Sequence, residues 1–146
     1  SMVRHYNTCS DGDALTIFHE YIESGDFENI KKLINYGIDV NQKNDRGQSA
    51  LHIAANNESE QMIWLLVNQG SDLNSVDVDG RTPLMLVSSH DKKIVELLLD
   101  SGADPNIRNN DGRTILDEAY SQNSVDLIDL LISRGAKSII KPSDFI

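Results

Sequence analysis

Apolar residues in this chain come in short runs with helical spacing, and each run closes on a glycine. Met62, Ile63, Leu65, Leu66 and Val67 form one stripe before Gly70. Ile94, Val95, Leu97, Leu98 and Leu99 form another before Gly102, and Leu127, Ile128, Leu130, Leu131 and Ile132 a third before Gly135. The spacing predicts an amphipathic helix in each, stopped by its glycine. Gly37, Gly70, Gly102 and Gly135 stand 33, 32 and 33 residues apart, and Gly47, Gly80 and Gly112 keep a step of 33 and 32. So regular a period predicts stacked units, in which one unit's apolar face is buried by the next.

Each unit reads as helix, break, helix. In the second, Ser49 is a candidate N-cap, and Leu51, Ala54 and Ala55 make a narrow apolar face on which another helix can approach closely. Asn56-Asn57-Glu58-Ser59 breaks the helix before the wider stripe. Four segments align: Thr16 to Gly37, Ser49 to Gly70, Thr82 to Gly102 and Thr114 to Gly135. Polar stretches from Asn41 to Gly47, Asn74 to Gly80 and Asn106 to Gly112 lie between them. Each ends in an Asx-rich turn whose glycine supplies the positive φ of a tight hairpin.

Thr82-Pro83-Leu84, Ser49-Ala50-Leu51-His52-Ile53-Ala54-Ala55 and the run Leu97 to Asn106 resemble the ankyrin repeat. The resemblance covers residues 14–137, in units of about 14–46, 47–79, 80–111 and 112–137. It implies an all-α solenoid of helix-turn-helix units joined by β-hairpin-like loops, with about two thirds of each unit helical. Residues 1–13 read as an N-terminal extension that includes a cloning remnant, Ser1-Met2. Residues 138–146 read as a capping tail, with Ile139, Ile140 or Phe145 folded over the last apolar face, or as the start of a truncated fifth repeat. The third unit departs from the pattern: it is one residue short across Ser88-Ser89-His90-Asp91, has Val87-Ser88 where the second has Ala54-Ala55, and has Met85 where the second has His52. The family's Gly-His turn between helices is approached only at Gly25-Asp26.

Charge sets the class of partner. The chain carries net charge −10, which speaks against nucleic acid, because phosphate binding needs clustered Lys and Arg. It favours a protein with a basic surface, or serves solubility alone. Cys9 is the single cysteine, so no internal disulfide forms and a reducing compartment, cytoplasmic or nuclear, is the simplest reading. The apolar runs are too short to span a membrane.

No glycine-rich phosphate loop is present, and no Ser/Cys–His–Asp set stands out. His5 and His90 have no metal-ligand spacing. The reading is a non-enzyme with no metal or cofactor, acting as a monomeric protein-interaction scaffold or adaptor. Alternatives are a regulatory domain that masks or positions a catalytic or channel domain in a longer polypeptide, and a reader of basic peptides such as histone tails.

The resemblance also implies where contacts form. Hairpin tips place Asp45, Arg46 and Gln48, then Val78, Asp79 and Arg81, then Asn110, Asp111 and Arg113 at a partner surface. First-helix ends add Glu23, Ser24, Asn56, Asn57, Ser89, His90, Ser121 and Gln122. The recurring arginines either line a contact to an anionic partner or offset neighbouring aspartates. Trp64 stands where other units have Lys31, Glu96 and Asp129, a register that faces solvent, so it is expected to be partly exposed. His19 and His52 carry an implied structural role beside the hairpin. Asn41, Asn74 and Asn106 are implied turn residues, and in animal cells the same motif is a substrate for asparaginyl hydroxylation.

Overall fold

A computed structural model describes residues 11–137, with side chains from Ala14 onward. Eight helices run through this span: α1 Asp11–Ser24, α2 Phe27–Asn35, α3 Ala50–Asn56, α4 Glu60–Asn68, α5 Pro83–Leu86, α6 Lys92–Asp100, α7 Ile115–Ser121 and α8 Val125–Ser133. They pair as α1–α2, α3–α4, α5–α6 and α7–α8, one pair per repeat. Among the described residues no strand forms, and helix accounts for little more than half of them, below the expected two thirds. The difference lies in the loops between pairs, which hold turns and extended backbone. His5, Cys9, Ile139, Ile140 and Phe145, and with them the expected capping tail, lie outside the described residues.

The core follows the periodic stripe. Met62, Ile63 and Leu66 of α4 are fully buried, as are Ile94, Val95 and Leu98 of α6 and Leu127 and Leu131 of α8, or nearly so. Leu65, Val67, Leu97 and Leu99 pack at the edge of the same cluster. Ile132 departs from the expected stripe and is half exposed. The helix α3 lies against α1, α4 and α5, and its small Ala54 and Ala55 are fully buried.

First helices start where a short side chain satisfies the free N-terminal amides. Ser49 and His52 form a reciprocal cap on α3: the Ser49 amide donates to His52 Nδ1 at 3.2 Å, and the His52 amide donates back to Ser49 Oγ at 3.5 Å. Thr114 and Asp117 do the same on α7, with the Thr114 amide 3.0 Å from Asp117 Oδ2. In the third repeat Met85 occupies the reciprocating position and has no polar atom to offer. Thr82 Oγ1 is left buried without a partner, and α5 runs 4 residues where α3 and α7 run 7. The Glu58 side chain reaches across from the second repeat, and its Oε1 accepts from the Ser88 amide at 3.2 Å just past the end of α5. Glu58 itself sits at φ 56°, and Asn123 at φ 55°, in turns where the first repeat has Gly25.

Successive repeats are joined by the hairpin asparagines. Asn41 Oδ1 accepts from the Asp72 amide at 2.8 Å, and Asn41 Nδ2 donates to the Gly70 carbonyl at 3.3 Å. Asn74 Oδ1 accepts from the Asp104 amide at 2.8 Å. Asn106 Oδ1 accepts from the Lys137 amide at 2.7 Å, and its Nδ2 donates to the Gly135 carbonyl at 3.1 Å. Asp39, Asp72 and Asp104 hold the three asparagines in place, each accepting from the asparagine amide at 2.9 Å.

The ring of His52 bridges repeats as well, donating from Nε2 to the Arg81 carbonyl at 2.8 Å. Its Nδ1 accepts from Ser49, so the proton sits on Nε2. Burial lowers the pKa of both His19 and His52, and that of His19 falls to about 4. The Gln42 backbone and the Glu23 carboxylate pull His19 the other way.

Three outcomes test this packing. Leu98→Ala should destabilise by roughly 2–5 kcal/mol in chemical denaturation, since a fully buried side chain is truncated; a loss below about 0.5 kcal/mol contradicts the register of α6. Met85→His should restore the missing cap and raise stability by about 1 kcal/mol, read as an increase in melting temperature. For His19, the unfolded chain takes up a proton as pH falls through about 6.5, whereas the folded chain does so only near 4. The stability this provides is present at neutral pH and is lost between those values. The drop in melting temperature from neutral to mildly acidic pH should therefore shrink in His19→Gln.

Candidate functional site

The hairpins form one stitched edge. In each, an Asx side chain folds the tip: Asn44 Oδ1 accepts from the Arg46 and Gln48 amides at 2.9 and 3.0 Å. Asp77 Oδ1 accepts from Asp79 and Arg81, both at 2.9 Å, and Asn109 Oδ1 from Asp111 and Arg113 at 2.9 and 3.1 Å. Neighbouring tips then bond to each other. The Val78 amide donates to the Arg46 carbonyl at 3.0 Å, and the Asn110 amide to the Asp79 carbonyl at 2.9 Å. Asn110 Nδ2 adds a bond to the Val78 carbonyl at 2.8 Å. This approach requires glycine: a Cβ on Gly47 would stand 2.9 Å from the Val78 nitrogen, and one on Gly80 would stand 2.8 Å from the Asn110 nitrogen.

The stitching turns tip side chains outward. Asp45, Arg46, Val78, Asp79, Asn110 and Asp111 are exposed, and Val78 keeps 61% of its surface free. Gln48, Arg81 and Arg113 are half-buried. Two of the arginines are engaged locally, Arg81 within its own hairpin and Arg113 with the helix that follows it. Arg81 Nε lies 3.2 Å from Asp77 Oδ2, and its Nη2 lies 3.2 Å from Asp79 Oδ2. Arg113 Nε lies 3.0 Å from Glu118 Oε1, while its Nη2 contacts Ser121 Oγ and the Asp117 carbonyl. Of the two readings offered by the sequence, offsetting neighbouring acids is the one this geometry matches. Reversing Arg81 would set a carboxylate against the buried Asp77, so this arginine cannot be exchanged without loss of stability.

Grooves run between the first helices and the hairpins. One, of about 510 Å³, is lined by His19, Glu20, Glu23, Asp45, Gln48 and Ile53 among others. Here Asn57 joins in, its Nδ2 donating to Glu23 Oε2 at 3.2 Å. A second, of about 440 Å³, lies beside the short α5 and brings together Arg81, Ser89, His90 and Gln122 over a floor that includes Met85, Val87 and Ile115. Asn56 and Ser121 are exposed at first-helix ends. Trp64 is 49% exposed on α4 and lies outside both grooves. Glu20 and Glu118 were missed by sequence reasoning. The period carries their signal: with Ile53 and Leu86 they occupy one column, in which the end repeats place glutamate where the middle repeats place an aliphatic residue.

Asn41, Asn74 and Asn106 are exposed, and their amides are used in joining repeats. Among the described residues no group of three His, Cys, Asp or Glu side chains is placed to hold a metal ion. No described helix is long and apolar enough to cross a membrane.

Comparison with known proteins agrees with this architecture. A family model described as ankyrin repeats, three copies long, matches residues 18–109 and 70–141. Human protein phosphatase 1 regulatory subunit 27 is 33% identical over 82 residues, which cover 56% of this chain and 53% of that protein. The mouse B-cell lymphoma 3 protein homolog is 33% identical over 106 residues, 71% of this chain and 24% of that protein. The potassium channel AKT1 of Arabidopsis thaliana is 34% identical over 79 residues, 54% of this chain and 9% of the channel. The chain thus spans about half the length of the phosphatase subunit and smaller shares of the others. With four helix pairs in phase and a family match across nearly its whole length, the chain belongs to the ankyrin-repeat family.

Proposed function

We propose that this chain is a non-catalytic docking module that holds another protein against its hairpin tips and first helices, as a monomer in the cytoplasm or nucleus. The observation that carries the reading is the stitched hairpin edge. Backbone bonds between tips hold Val78, Asp79, Asn110 and Asp111 outward and already ordered, so a partner meets them without a further ordering penalty. The negative balance of the chain supports a basic partner surface. A second reading, that the repeats position or mask a catalytic or channel domain of a longer polypeptide, draws support from relatives named as a phosphatase regulatory subunit and a potassium channel, in which the match is a part of the whole. The complete gene sequence separates the two. The exposed hairpin asparagines are open to an asparaginyl hydroxylase, and intact mass of the protein from its native cell would show the added oxygen.

Affinity capture with the intact chain identifies the partner, and Val78→Glu combined with Asp111→Arg tests the surface. Neither side chain carries a fold contact described above, so binding should fall while the melting temperature and helical spectrum stay unchanged. Equal binding by the double variant contradicts the hairpin edge as the partner surface. If charge steers the encounter, association slows with salt, since the screening length shrinks from ~10 Å at 0.1 M to ~3 Å at 1 M.

A further inference from the structure

Two columns of side chains on the second helices lie in the core wherever another repeat follows. Ile30, Ile63 and Val95 hold one column and are fully buried. Ile34, Val67 and Leu99 hold the other and are partly buried against the core. On α8 the same columns carry Ile128, which is only partly buried, and Ile132, which is 50% exposed. Val125 extends the line by a turn and is 65% exposed, where α4 has Glu60 and α6 has Lys92. Spaced at i, i+3 and i+7, Val125, Ile128 and Ile132 share one apolar face of the helix. No described helix follows α8 to cover it.

The chain leaves α8 at a fixed place but without the residues of a further joint. The Lys137 amide donates to Asn106 Oδ1 at 2.7 Å, as the Asp72 and Asp104 amides donate to Asn41 and Asn74. Lys137 thus takes the position of Asp39, Asp72 and Asp104, and Ile139 takes that of Asn41, Asn74 and Asn106 in the period. The aspartate–asparagine pair that joins one repeat to the next is replaced by lysine and isoleucine, so a fifth repeat in the same register has no joint to stand on. In its place residues 138–146 bring Ile139, Ile140, Phe145 and Ile146. A segment of that length reaches up to about 30 Å from Lys137 when extended. The line from Ile132 to Val125 runs only about 10 Å along the helix. Asp129 is exposed beside that line, and Lys141 gives the segment the opposite charge.

We propose that residues 138–146 fold back along α8 and lie over Val125, Ile128 and Ile132, closing the stack at the fourth repeat. The segment takes from water an apolar face that the described repeats leave open. A second copy then finds no bare end to stack upon, and the hairpin edge remains as the surface offered to a partner.

A thermodynamic cycle in the full chain tests the contact. One variant combines Ile139→Ser, Ile140→Ser and Phe145→Ser, and the other combines Val125→Ser and Ile132→Ser. Each alone should lower the melting temperature by roughly 5–10 °C, the shift for one or two large apolar side chains returned to water. All five changes together should cost little more than either set, because both remove the same contact. In the unaltered chain, nuclear Overhauser contacts should join Ile139, Ile140 or Phe145 to the methyl groups of Ile128 or Ile132, a readout that no variant needs to survive. Sedimentation of the unaltered chain should give a monomer. An unchanged melting temperature in the first variant, additive losses in the cycle or absent Overhauser contacts each overturn the proposal. A dimer that the Val125→Ser, Ile132→Ser variant dissociates also overturns it, since a second copy then occupies the face.

Discussion

No repeat of this chain closes on its own. Each leaves an apolar stripe on its second helix and an open edge on its hairpin, and both are completed only by the next unit. The asparagine that opens each inter-repeat loop fixes how that completion is made. Asn41, Asn74 and Asn106 reach to backbone amides 30 or so residues further on, and the preceding aspartates hold them there. One side chain thus sets both the spacing of helix pairs and the alignment of hairpins. Burial of the apolar core, with Leu66, Leu98 and Leu131 among its fully buried side chains, supplies the energy, roughly 1.5–3 kcal/mol for each large side chain. The hydrogen bonds supply the register.

The partner surface inherits its order from this stacking. Tips that were separate turns become one edge because Val78 and Asn110 bond to the tip before them. Departures from the repeat then give the face its individual relief. Met85 cannot complete the cap that His52 and Asp117 complete, and α5 ends early at Leu86, just before the stretch that is one residue short, with a notch beside it. Glu58 offsets part of that loss by accepting from the Ser88 amide, although its own backbone is held at positive φ. The first repeat differs in another way: it carries Glu20 where the second has Ile53.

Much of the fold was legible because it is periodic. Glycines at a constant step marked the helix ends, and the leucine stripes named the buried residues of α4, α6 and α8 with Ile132 as the exception. The cap of Ser49 could be read from its position, and the exposure of Trp64 from its polar counterparts. What was not legible depends on the direction a side chain takes. Arg46, Arg81 and Arg113 look equivalent in sequence, yet Arg81 turns to Asp77 and Asp79 while Arg113 turns to Glu118. Nothing in the residue types shows that the His52 ring bridges to the Arg81 carbonyl of the next repeat. The excess of loop over helix was hidden too, because the repeat period does not show how much of each inter-pair stretch is turn and extended backbone.

The joint between repeats is the claim on which the rest stands, and hydrogen exchange on Asn74→Ala measures it most directly. Removing this side chain takes the acceptor from the Asp104 amide, 2.8 Å away, and leaves the helices on either side intact. The account predicts faster exchange at Asp104 and through α5 and α6, with a global loss of about 0.5–1.5 kcal/mol. Unchanged protection at Asp104 together with unchanged stability would contradict it, and the register of the stack would then have to come from apolar packing alone.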